Sequence, residues 1–352
     1  MANVPIETLD AFCMDVMQRC GMREEDARIT ADVLVTTDTW GTYTHGTKSL
    51  RGYIKRLRAG GLNAEAKPEA VREGLAWAIV DGNSAMAMVT SCYAMNFAME
   101  KAAKAGVGMV TVRNSCHFGG AGYYAAMALK QNMIGQAMAN DVPSVAAPGA
   151  RGPVMGSNPY AYAAPAGEEK PLMLDMATSA VAGGKVMVAQ SENRQIPDTW
   201  IIDREGRPST DPFLFPNSAS LQPMGGHKGY AIALLIETLS GLMSGAGLSR
   251  EILAWIHDDP SKPTEHGHAF PAFDVGAMVP FDVYQRRMDG LIREIKALPK
   301  AVGFDRIYLP GEMEWERAEL AQVHGIPLPP DVRASLRGLA DDLGMNIGPE
   351  LA

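Results

Sequence analysis

The chain has 352 residues, of which 47% are hydrophobic and 20% are charged, and its formal net charge is −8. That balance is ordinary for a globular protein, and the lack of a basic cluster argues against partners such as nucleic acid or an anionic membrane surface. No apolar run reaches the roughly 18 residues of a membrane span, and the first residues lack the basic and apolar segments of a secretory signal. Four cysteines without a Cys-x-x-Cys pair favour free thiols and a cytoplasmic protein.

The first 60 residues predict three short helices. Apolar side chains recur at helical spacing over 5–20, a second helix is expected over 24–37, and a third begins at Leu50 and ends at Gly60-Gly61. His45 lies just before the third helix, where a capping turn with an exposed histidine and a functional histidine are both compatible with the sequence.

Lys48 and Arg51 stand on the polar side of that third helix, near its start. Their cationic side chains could hold a substrate carboxylate, or they could form a solvated face. The sequence of this segment leaves both interpretations open.

Beyond residue 64, strands and helices mix without regular alternation. Strands are predicted at Ala76–Val80, Val107–Val112, Ile134–Ala139, Tyr160–Ala164, Leu172–Met176, Phe270–Val275 and Phe304–Leu309, with a hairpin through Glu205-Gly206. Helices are predicted at Ser84–Lys104, from Lys228 to Met243 as a buried helix, over 283–295 and from Pro330. No Gly-x-Gly-x-x-Gly motif occurs, so a doubly wound nucleotide-binding fold is not supported.

The loop after Val107–Val112 contains His117 and then Gly119, Gly120 and Gly122. Glycines let backbone N–H groups approach a ligand closely, and histidine titrates near neutral pH, which suits acid–base catalysis. The alternative is a helix-entry turn with a structural histidine, and the loop alone does not decide between the two.

Three further segments are candidate ligand contacts. Asn140 ends a strand, where a turn is the commoner explanation. Asp175 also ends a strand and could accept hydrogen bonds from ribose hydroxyls. Gly225-Gly226-His227-Lys228-Gly229 precedes a helix, and glycines, a helix N-terminus and a lysine together suit an anion such as a pyrophosphate.

A zinc hydrolase built from His45, His117 and His227 is the metal-dependent alternative, and it is disfavoured. The histidines lack ligand spacing except His266-x-His268, which lies in a segment that predicts a loop. We therefore predict no metal site.

Taken in order, several motifs resemble the malate/L-lactate dehydrogenase family of NAD(P)-dependent oxidoreductases, which includes ureidoglycolate, sulfolactate and diketogulonate dehydrogenases and cyclic imino-acid reductases. The motifs are Thr44-His45-Gly46, Cys116-His117-Phe118-Gly119, Gly156-Ser157-Asn158-Pro159, Asp175-Met176-Ala177-Thr178, Ile196-Pro197-Asp198-Thr199-Trp200, Gly226-His227-Lys228-Gly229-Tyr230 and Tyr308-Leu309-Pro310-Gly311-Glu312. Each motif alone is weak, but their order and spacing along nearly the whole chain are specific.

The resemblance implies an α+β, non-Rossmann fold for binding NAD or NADP, with the choice of cofactor undecided, and a homodimer. A helical substrate and dimer domain is expected from 1–64 with 229–266 and 318–352. A central cofactor-binding domain with a mixed sheet is expected from 65–228 with 267–317.

The resemblance also implies roles for individual residues. His117 is expected to be the proton donor and acceptor, with His45 as a second catalytic residue. The substrate-binding residues are expected to be Thr44, Lys48, Ser49, Arg51, Tyr53 and Asn140. The cofactor-binding residues are expected to be Gly119, Gly120, Asn158, Asp175, Met176, Ala177, His227, Lys228, Gly229, Leu309, Pro310, Gly311 and Glu312.

One departure from the family concerns the substrate. Ser49 occupies a position where the family usually has an arginine suited to bidentate carboxylate binding. The missing arginine leaves open which acid is bound. The resemblance implies hydride transfer between a nicotinamide and a small 2-hydroxy or 2-oxo acid, with a pKa for His117 near ~6.5 suiting both directions. The alternatives are an NADPH-dependent reductase of a cyclic imino acid and a non-catalytic metabolite-binding protein.

Overall fold

The computed structural model describes residues 2–351, and eleven α-helices lie within that range. They are α1 (Ile6–Arg19), α2 (Glu24–Thr39), α3 (Leu50–Ala59), α4 (Ala87–Ala105), α5 (Ala121–Met127), α6 (Gly183–Ser191), α7 (His227–Ile236), α8 (Val275–Met278), α9 (Phe281–Lys296), α10 (Glu312–His324) and α11 (Pro330–Leu343). No helix within the described range is long and apolar enough to cross a membrane.

The strands form two sheets. The larger has the spatial order β1 (Glu69–Glu73), β2 (Trp77–Asp81), β3 (Val107–Ser115), β12 (His266–Asp274), β4 (Met133–Ala139), β7 (Tyr160–Ala164) and β8 (Leu172–Met176). The smaller has the order β10 (Pro208–Ser209), β9 (Ile201–Asp203), β11 (Ala219–Leu221), β5 (Val145–Ala146) and β6 (Pro153–Met155). The neighbouring pairs are antiparallel except β2–β3 and β11–β5. The fold is therefore α+β, and it is not a Rossmann fold, which requires a mostly parallel sheet.

The main core lies between the larger sheet and the helices that cover it. Helix α4 packs so closely on β3 that a Cβ atom added to Gly108 would lie 2.0 Å from the carbonyl oxygen of Ala98. Tyr124 of α5 and Phe118 are fully or almost fully buried in the same core, below the loop that carries His117. The loop therefore rests on a packed base, which fixes its position.

The two ends of the chain meet the N-terminal helices. Val4 pairs with Ile326 through an isolated β-bridge. Helix α11 lies against α3 and the turn before it, where the hydroxyl of Ser335 donates to the carbonyl of Lys48. The helical part near the predicted substrate residues thus includes both the beginning and the end of the chain.

Most of the predicted strands and helices are present, but three predictions were wrong. No strand forms at Phe304–Leu309, where the Phe304 side chain is exposed and no strand lies alongside to pair with it. His266-x-His268 begins β12 instead of lying in a loop, because β3 and β4 pair with it on both sides.

The third wrong prediction concerns the helix that starts near Lys228. Its α-helical part ends at Ile236, and a π-helical turn follows over Glu237–Leu242. Leu234 and Leu235 are 44% and 55% exposed, because one face of this apolar helix finds no packing partner within its own chain. An apolar composition on all sides does not by itself provide a surface for each side to pack against.

Candidate active site

His117 follows β3 and is held by a tyrosine from α3. The hydroxyl oxygen of Tyr53, a fully buried residue, lies 2.6 Å from Nδ1 of His117. The phenol oxygen can accept from the Nδ1–H group both in the neutral tautomer that leaves Nε2 unprotonated and in the imidazolium, so Tyr53 can hold Nδ1 in either protonation state. The imidazole is partly exposed, and Nε2 is the ring nitrogen left to exchange a proton with a ligand.

Two other rings pack against His117. The Trp255 indole stacks on it with centroids 4.4 Å apart and planes 12° from parallel. The His45 ring lies 5.4 Å away, at 35°. The structure therefore brings together the two histidines predicted to be catalytic, and it adds a tryptophan that the sequence analysis did not single out.

The pKa of His117 differs from the expectation of an ordinary value. Burial among these rings lowers the pKa well below that of a free histidine, and the nearby His45, His266 and His268 lower it further. Burial also lowers the pKa of His45. Both imidazoles are therefore neutral at pH 7, and His117 rests in the form that accepts a proton.

The turn that carries His45 is held by hydroxyl groups. The Thr44 hydroxyl oxygen lies 2.8 Å from Nδ1 of His45. Ser49 is buried, and its hydroxyl donates to the carbonyl of Thr44 at 3.0 Å. Ser49 thus supports the turn and offers no cation to a substrate, and both Ser49 and Thr44 line the adjacent cavity.

Asp38 lies buried beneath the same turn. One of its carboxylate oxygens, Oδ2, accepts hydrogen bonds from the backbone N–H and the hydroxyl of Thr47. The other, Oδ1, has no hydrogen-bond partner within the described residues, and a Cβ atom added to Gly46 would lie 1.9 Å from it. Burial raises the pKa of Asp38 to about 7, although the bonds from Thr47 oppose that shift.

This raised pKa predicts a pH-dependent stability that Asp38→Asn removes. The folded protein retains the Asp38 proton between pH 4 and 7, where the unfolded chain has lost it, so the free energy of unfolding falls as the pH rises through that interval. We expect wild type to lose about 2–3 kcal/mol relative to Asp38→Asn between pH 5 and pH 8. Urea unfolding at both values measures the difference, and parallel pH dependences would contradict the assignment.

Asp175, at the end of β8, faces the start of α5. Its Oδ2 accepts a hydrogen bond from the backbone N–H of Gly122 at 2.7 Å, while its side chain stays accessible. Desolvation in this cleft raises the pKa of Asp175. The glycines after His117 permit the approach, since a Cβ at Gly122 would lie 3.2 Å from the Asp175 carboxylate. Met176 and Ala177 follow it, half-buried.

The turn Leu309–Glu312 rests on the same strand. The backbone N–H of Met173 donates to the carbonyl of Pro310 at 3.0 Å, and Gly311, with φ +92°, leaves no space for a side chain against Met173. Glu312 accepts from the N–H of Leu309 and pairs with Lys296 and Arg306. The carboxylate of Glu312 is thus used to fix the turn itself.

The start of α7 is open, as an anion site requires. Gly225 and Gly226 are exposed with positive φ and have no atom within 4 Å of an added Cβ, and His227 and Lys228 are exposed beside them. The Met224 N–H donates to the carbonyl of Thr178, which joins this segment to the end of β8. Gly229 is buried under the turn.

These groups fit a nicotinamide dinucleotide. Exposed glycines, a helix N-terminus and a lysine suit its pyrophosphate, and the accessible carboxylate of Asp175 suits a hydroxyl or amide donor. Asp175 lies close enough to His45 for its charge to oppose the lowering of the His45 pKa, and the Met224–Thr178 bond joins the start of α7 to the end of the strand that carries Asp175.

The side-chain amides of two predicted site residues form hydrogen bonds with other residues of the protein. Asn140 is buried, donates to the carbonyl of Gly247 and accepts from the N–H of Gly267. Asn158 is buried too, and its amide connects the N–H of Asp141 with the carbonyl of Ala233 and the carboxylate of Glu237. Both amides fix backbone geometry around the site, and the next residue after Asn140, Asp141, is the one that lines the cavity.

A cavity of about 1180 Å³ is lined by Thr44, the neighbour of His45, and by Trp255. Lys48 and Arg51 line it, but each is already paired with an aspartate of α11, at 2.6 Å to Asp331 and 2.7 Å to Asp342. Much of the remaining wall is apolar: Ile54, Val142, Met187, Phe215, Leu221, Ile256 and Leu339.

Sequence reasoning missed three contributors to this site. Trp255 lies in a polar, proline-containing loop, and an aromatic residue in such a loop was the only available signal. Asp38 comes directly after the helix predicted over 24–37, where nothing in the sequence marks it as buried. His266 lies 3.2 Å from the carboxylate of Asp141, a contact between residues far apart in sequence.

The chain is similar to known proteins along nearly its whole length. The family described as malate/L-lactate dehydrogenase matches residues 4–337. The chain is 36% identical over 350 residues to a malate dehydrogenase of Pyrococcus horikoshii, covering 97% of this chain and 96% of that protein. It is 29% identical to a Delta(1)-pyrroline-2-carboxylate/Delta(1)-piperideine-2-carboxylate reductase of Pseudomonas putida, with 98% of each covered.

A solved structure shows the same fold. The sulfolactate dehydrogenase of Methanocaldococcus jannaschii superposes with a TM-score of 0.91 at 34% sequence identity, and 98% of each chain is covered. The motifs from Thr44 to Glu312 therefore lie in a shared framework along the whole chain. The protein belongs to the malate/L-lactate dehydrogenase family of nicotinamide-dependent oxidoreductases.

Proposed function

We propose that this enzyme transfers a hydride between a nicotinamide and a small 2-hydroxy or 2-oxo acid, and that His117 exchanges the accompanying proton. The observation that carries the proposal is the environment of His117, whose Nδ1 is held by Tyr53 and whose ring face is covered by Trp255. Only a group fixed in this way can present Nε2 reproducibly to a substrate oxygen.

The residues of the site divide the work as follows. The nicotinamide, when bound, accepts or delivers the hydride. In the oxidative direction neutral His117 takes the hydroxyl proton at Nε2, and the resulting imidazolium donates from Nδ1 to the Tyr53 oxygen. In the reductive direction His117 returns that proton to the carbonyl oxygen. His45 packs beside the ring and Thr44 orients His45, so both stand where they can contact the substrate.

The substrate carboxylate is assigned to Lys48 and Arg51. Both line the cavity, and each would exchange an aspartate of α11 for the substrate. Exposed ion pairs of this kind contribute only ~0–1 kcal/mol, so the exchange costs little. The cofactor is assigned to the segment that includes Asp175, the start of α7 and the turn Leu309–Glu312.

The test is a spectrophotometric assay at 340 nm with pyruvate, oxaloacetate and piperideine-2-carboxylate, each with NADH and with NADPH. Oxidation of the cofactor by a 2-oxo acid supports the proposal. Cofactor binding without turnover of any of the three would favour a metabolite-binding protein and overturn it.

Reduction of a cyclic imino acid is the second candidate. A protonated imine needs no proton from the enzyme before hydride arrives, which agrees with the lowered pKa of His117. The reductase of Pseudomonas putida shows that the family includes this chemistry. Turnover of piperideine-2-carboxylate alone would select this alternative.

We also propose that the protein is a homodimer in the cytoplasm, with the helical segments 1–64, 229–266 and 318–352 forming the substrate and dimer domain and 65–228 with 267–317 binding the cofactor. The four cysteines are free, as expected in a reducing compartment. Three apolar side chains on α7 and at the π-helical turn that follows it are each more than half exposed: Leu235, Leu242 and Met243. A second subunit would cover them.

The dimer proposal predicts that Leu235→Asp weakens association. A buried, unpaired carboxylate at the interface costs several kcal/mol, so light scattering should report the mass of one chain for the variant and of two for wild type. Leu75→Asp, at a residue that is 74% exposed outside this face, is the matched control and should stay dimeric. A monomeric wild type would contradict the proposal.

A further inference from the structure

Arg56 of α3 is buried, with 1% of its surface exposed, and within the described residues it forms no ion pair. Its guanidinium instead donates to four backbone carbonyls of a single loop. Nε binds the carbonyl of Trp255 at 2.6 Å, Nη2 that of Ala254 at 3.0 Å, and Nη1 those of Lys262 and Asp259 at 2.8 and 3.3 Å. The planar fork of arginine, with five donors in fixed directions, therefore holds the whole loop 254–262.

One turn earlier on the same helix, Gly52 provides the space for the indole. A Cβ atom added to Gly52 would lie 2.7 Å from Cζ3 of Trp255. A rigid ring cannot bend away from such a contact, so any side chain at this position must push the indole aside. Glycine at position 52 and arginine at position 56 thus determine together where Trp255 lies.

The indole packs on the catalytic pair with one face only. Trp255 stacks on Tyr53 at 4.8 Å and on His117 at 4.4 Å, while the centroids of Tyr53 and His117 are 6.0 Å apart. Rings on opposite faces of the indole would be separated by about twice the usual stacking distance, so both lie on the same face. Trp255 also lines the cavity beside the site. The indole therefore covers one ring face of His117 on the side of that cavity, and the ring edge that bears Nε2 is not part of this stacking contact.

We propose that Trp255 positions the His117 imidazole and keeps bulk water of the cavity off its ring face, and that Arg56 and Gly52 are positioning residues that seat this indole. The proposal rests on the assignment of His117 as the proton-exchanging group. It explains why a cationic side chain is buried against carbonyls alone, since its partners are the backbone of the loop that carries Trp255.

Removal of the indole has an expected signature in the kinetics. Trp255→Ala should lower kcat about tenfold and change KM for the 2-hydroxy acid less than threefold, because the ring positions His117. Water that enters in place of the indole favours the imidazolium, so the acid limb of kcat/KM for oxidation should move to higher pH by about half a unit or more. Trp255→Phe keeps an aromatic face and should restore most of both values.

Gly52→Ala tests the positioning of His117 by Trp255 without removing the indole. We expect it to lower kcat and to move the acid limb in the same direction as Trp255→Ala. Gly290→Ala is the matched control, since Gly290 also lies within a helix but has open space around an added Cβ, and it should behave as wild type. Arg56→Lys keeps the charge but loses the fork, and it should resemble Gly52→Ala.

A readout without turnover separates this inference from the proposed function. NMR titration of the His117 ring in the cofactor-free protein should give a higher pKa in Trp255→Ala and in Gly52→Ala than in wild type and Gly290→Ala. Equal pKa values in folded samples of all four proteins would overturn the role of Trp255, whatever the enzyme reduces. If the pKa of His117 in Trp255→Ala and Gly52→Ala differs from that of wild type, but the wild-type enzyme turns over no acid or imine, the role of Trp255 would stand and the proposed function would be rejected.

Discussion

Replacing His117 by alanine is expected to lower kcat by about two to four orders of magnitude in both directions, the usual scale for the loss of a general acid–base group. The structure gives a specific reason for the upper part of that range. The other imidazole in the site, His45, has its Nδ1 beside the Thr44 hydroxyl and a ring centroid 5.4 Å from that of His117, so it is not placed to take over the same position. Steady-state kinetics at saturating cofactor measure the loss.

Two controls make this result interpretable. His117→Gln fills a similar volume but has no group that titrates near neutral pH, so it should lose as much activity as His117→Ala. Cofactor affinity, followed by the fluorescence of bound NADH or NADPH, should change less than threefold in both variants, because the proposed cofactor residues surround Asp175 and the start of α7. A variant with wild-type turnover would remove His117 from the mechanism.

The pH dependence of wild type follows from the same site. Since burial holds the pKa of His117 well below the ordinary value, the neutral base persists through neutral and mildly acidic pH. Oxidation of the hydroxy acid should therefore be independent of His117 titration above pH 6.5. Reduction needs the protonated form, so its rate should rise as the pH is lowered from 8 to 6.

The sequence indicates those parts of the candidate site that lie within a single segment. The loop after β3 could be predicted because a β-branched strand runs into His117 and three glycines, and the start of α7 because glycines precede an apolar helix. Such patterns reflect local backbone preferences, which act between neighbouring residues. The resemblance to the family then ordered these segments into one site.

The contacts between distant segments could not be predicted in the same way. Strand β12 inserts between β3 and β4, and this places His266 and His268 in the core instead of in a loop. Lys48 and Arg51 meet aspartates almost three hundred residues away. Trp255 reaches His117 because Arg56 binds its loop. The hydrophobic periodicity of a sequence does not indicate which distant residue a side chain will contact.

Tyr53 shows the same limit in the assignment of a role. The resemblance placed it with the substrate-binding residues. In the structure its hydroxyl is buried against Nδ1 of His117, and its ring lies under Trp255. We therefore predict that it acts on the substrate through the imidazole.

Tyr53→Phe is accordingly expected to lower kcat/KM about tenfold to hundredfold, because a hydrogen bond to a group that becomes charged contributes about 1.5–3 kcal/mol. The phenyl ring keeps its stack with Trp255, so only the hydroxyl is lost. The partner that remains for Nδ1 is the N–H of Gly119, at 3.5 Å, which can donate to a neutral ring but cannot accept from an imidazolium.

The missing acceptor also gives Tyr53→Phe a signature in the pKa of His117. Without the Tyr53 oxygen the imidazolium is disfavoured further, so the pKa of His117, measured by NMR titration, should fall. The values of kcat/KM should fall by the same factor in both directions at a given pH, because the overall equilibrium constant fixes their ratio. Tyr93→Phe, at an exposed residue of α4 outside the site, is the matched control and should leave both rates unchanged. A lowered kcat/KM with a His117 pKa equal to that of wild type would mean that Tyr53 orients the ring without stabilising its charge, and a wild-type rate would show that the Trp255 stack alone holds His117 in place.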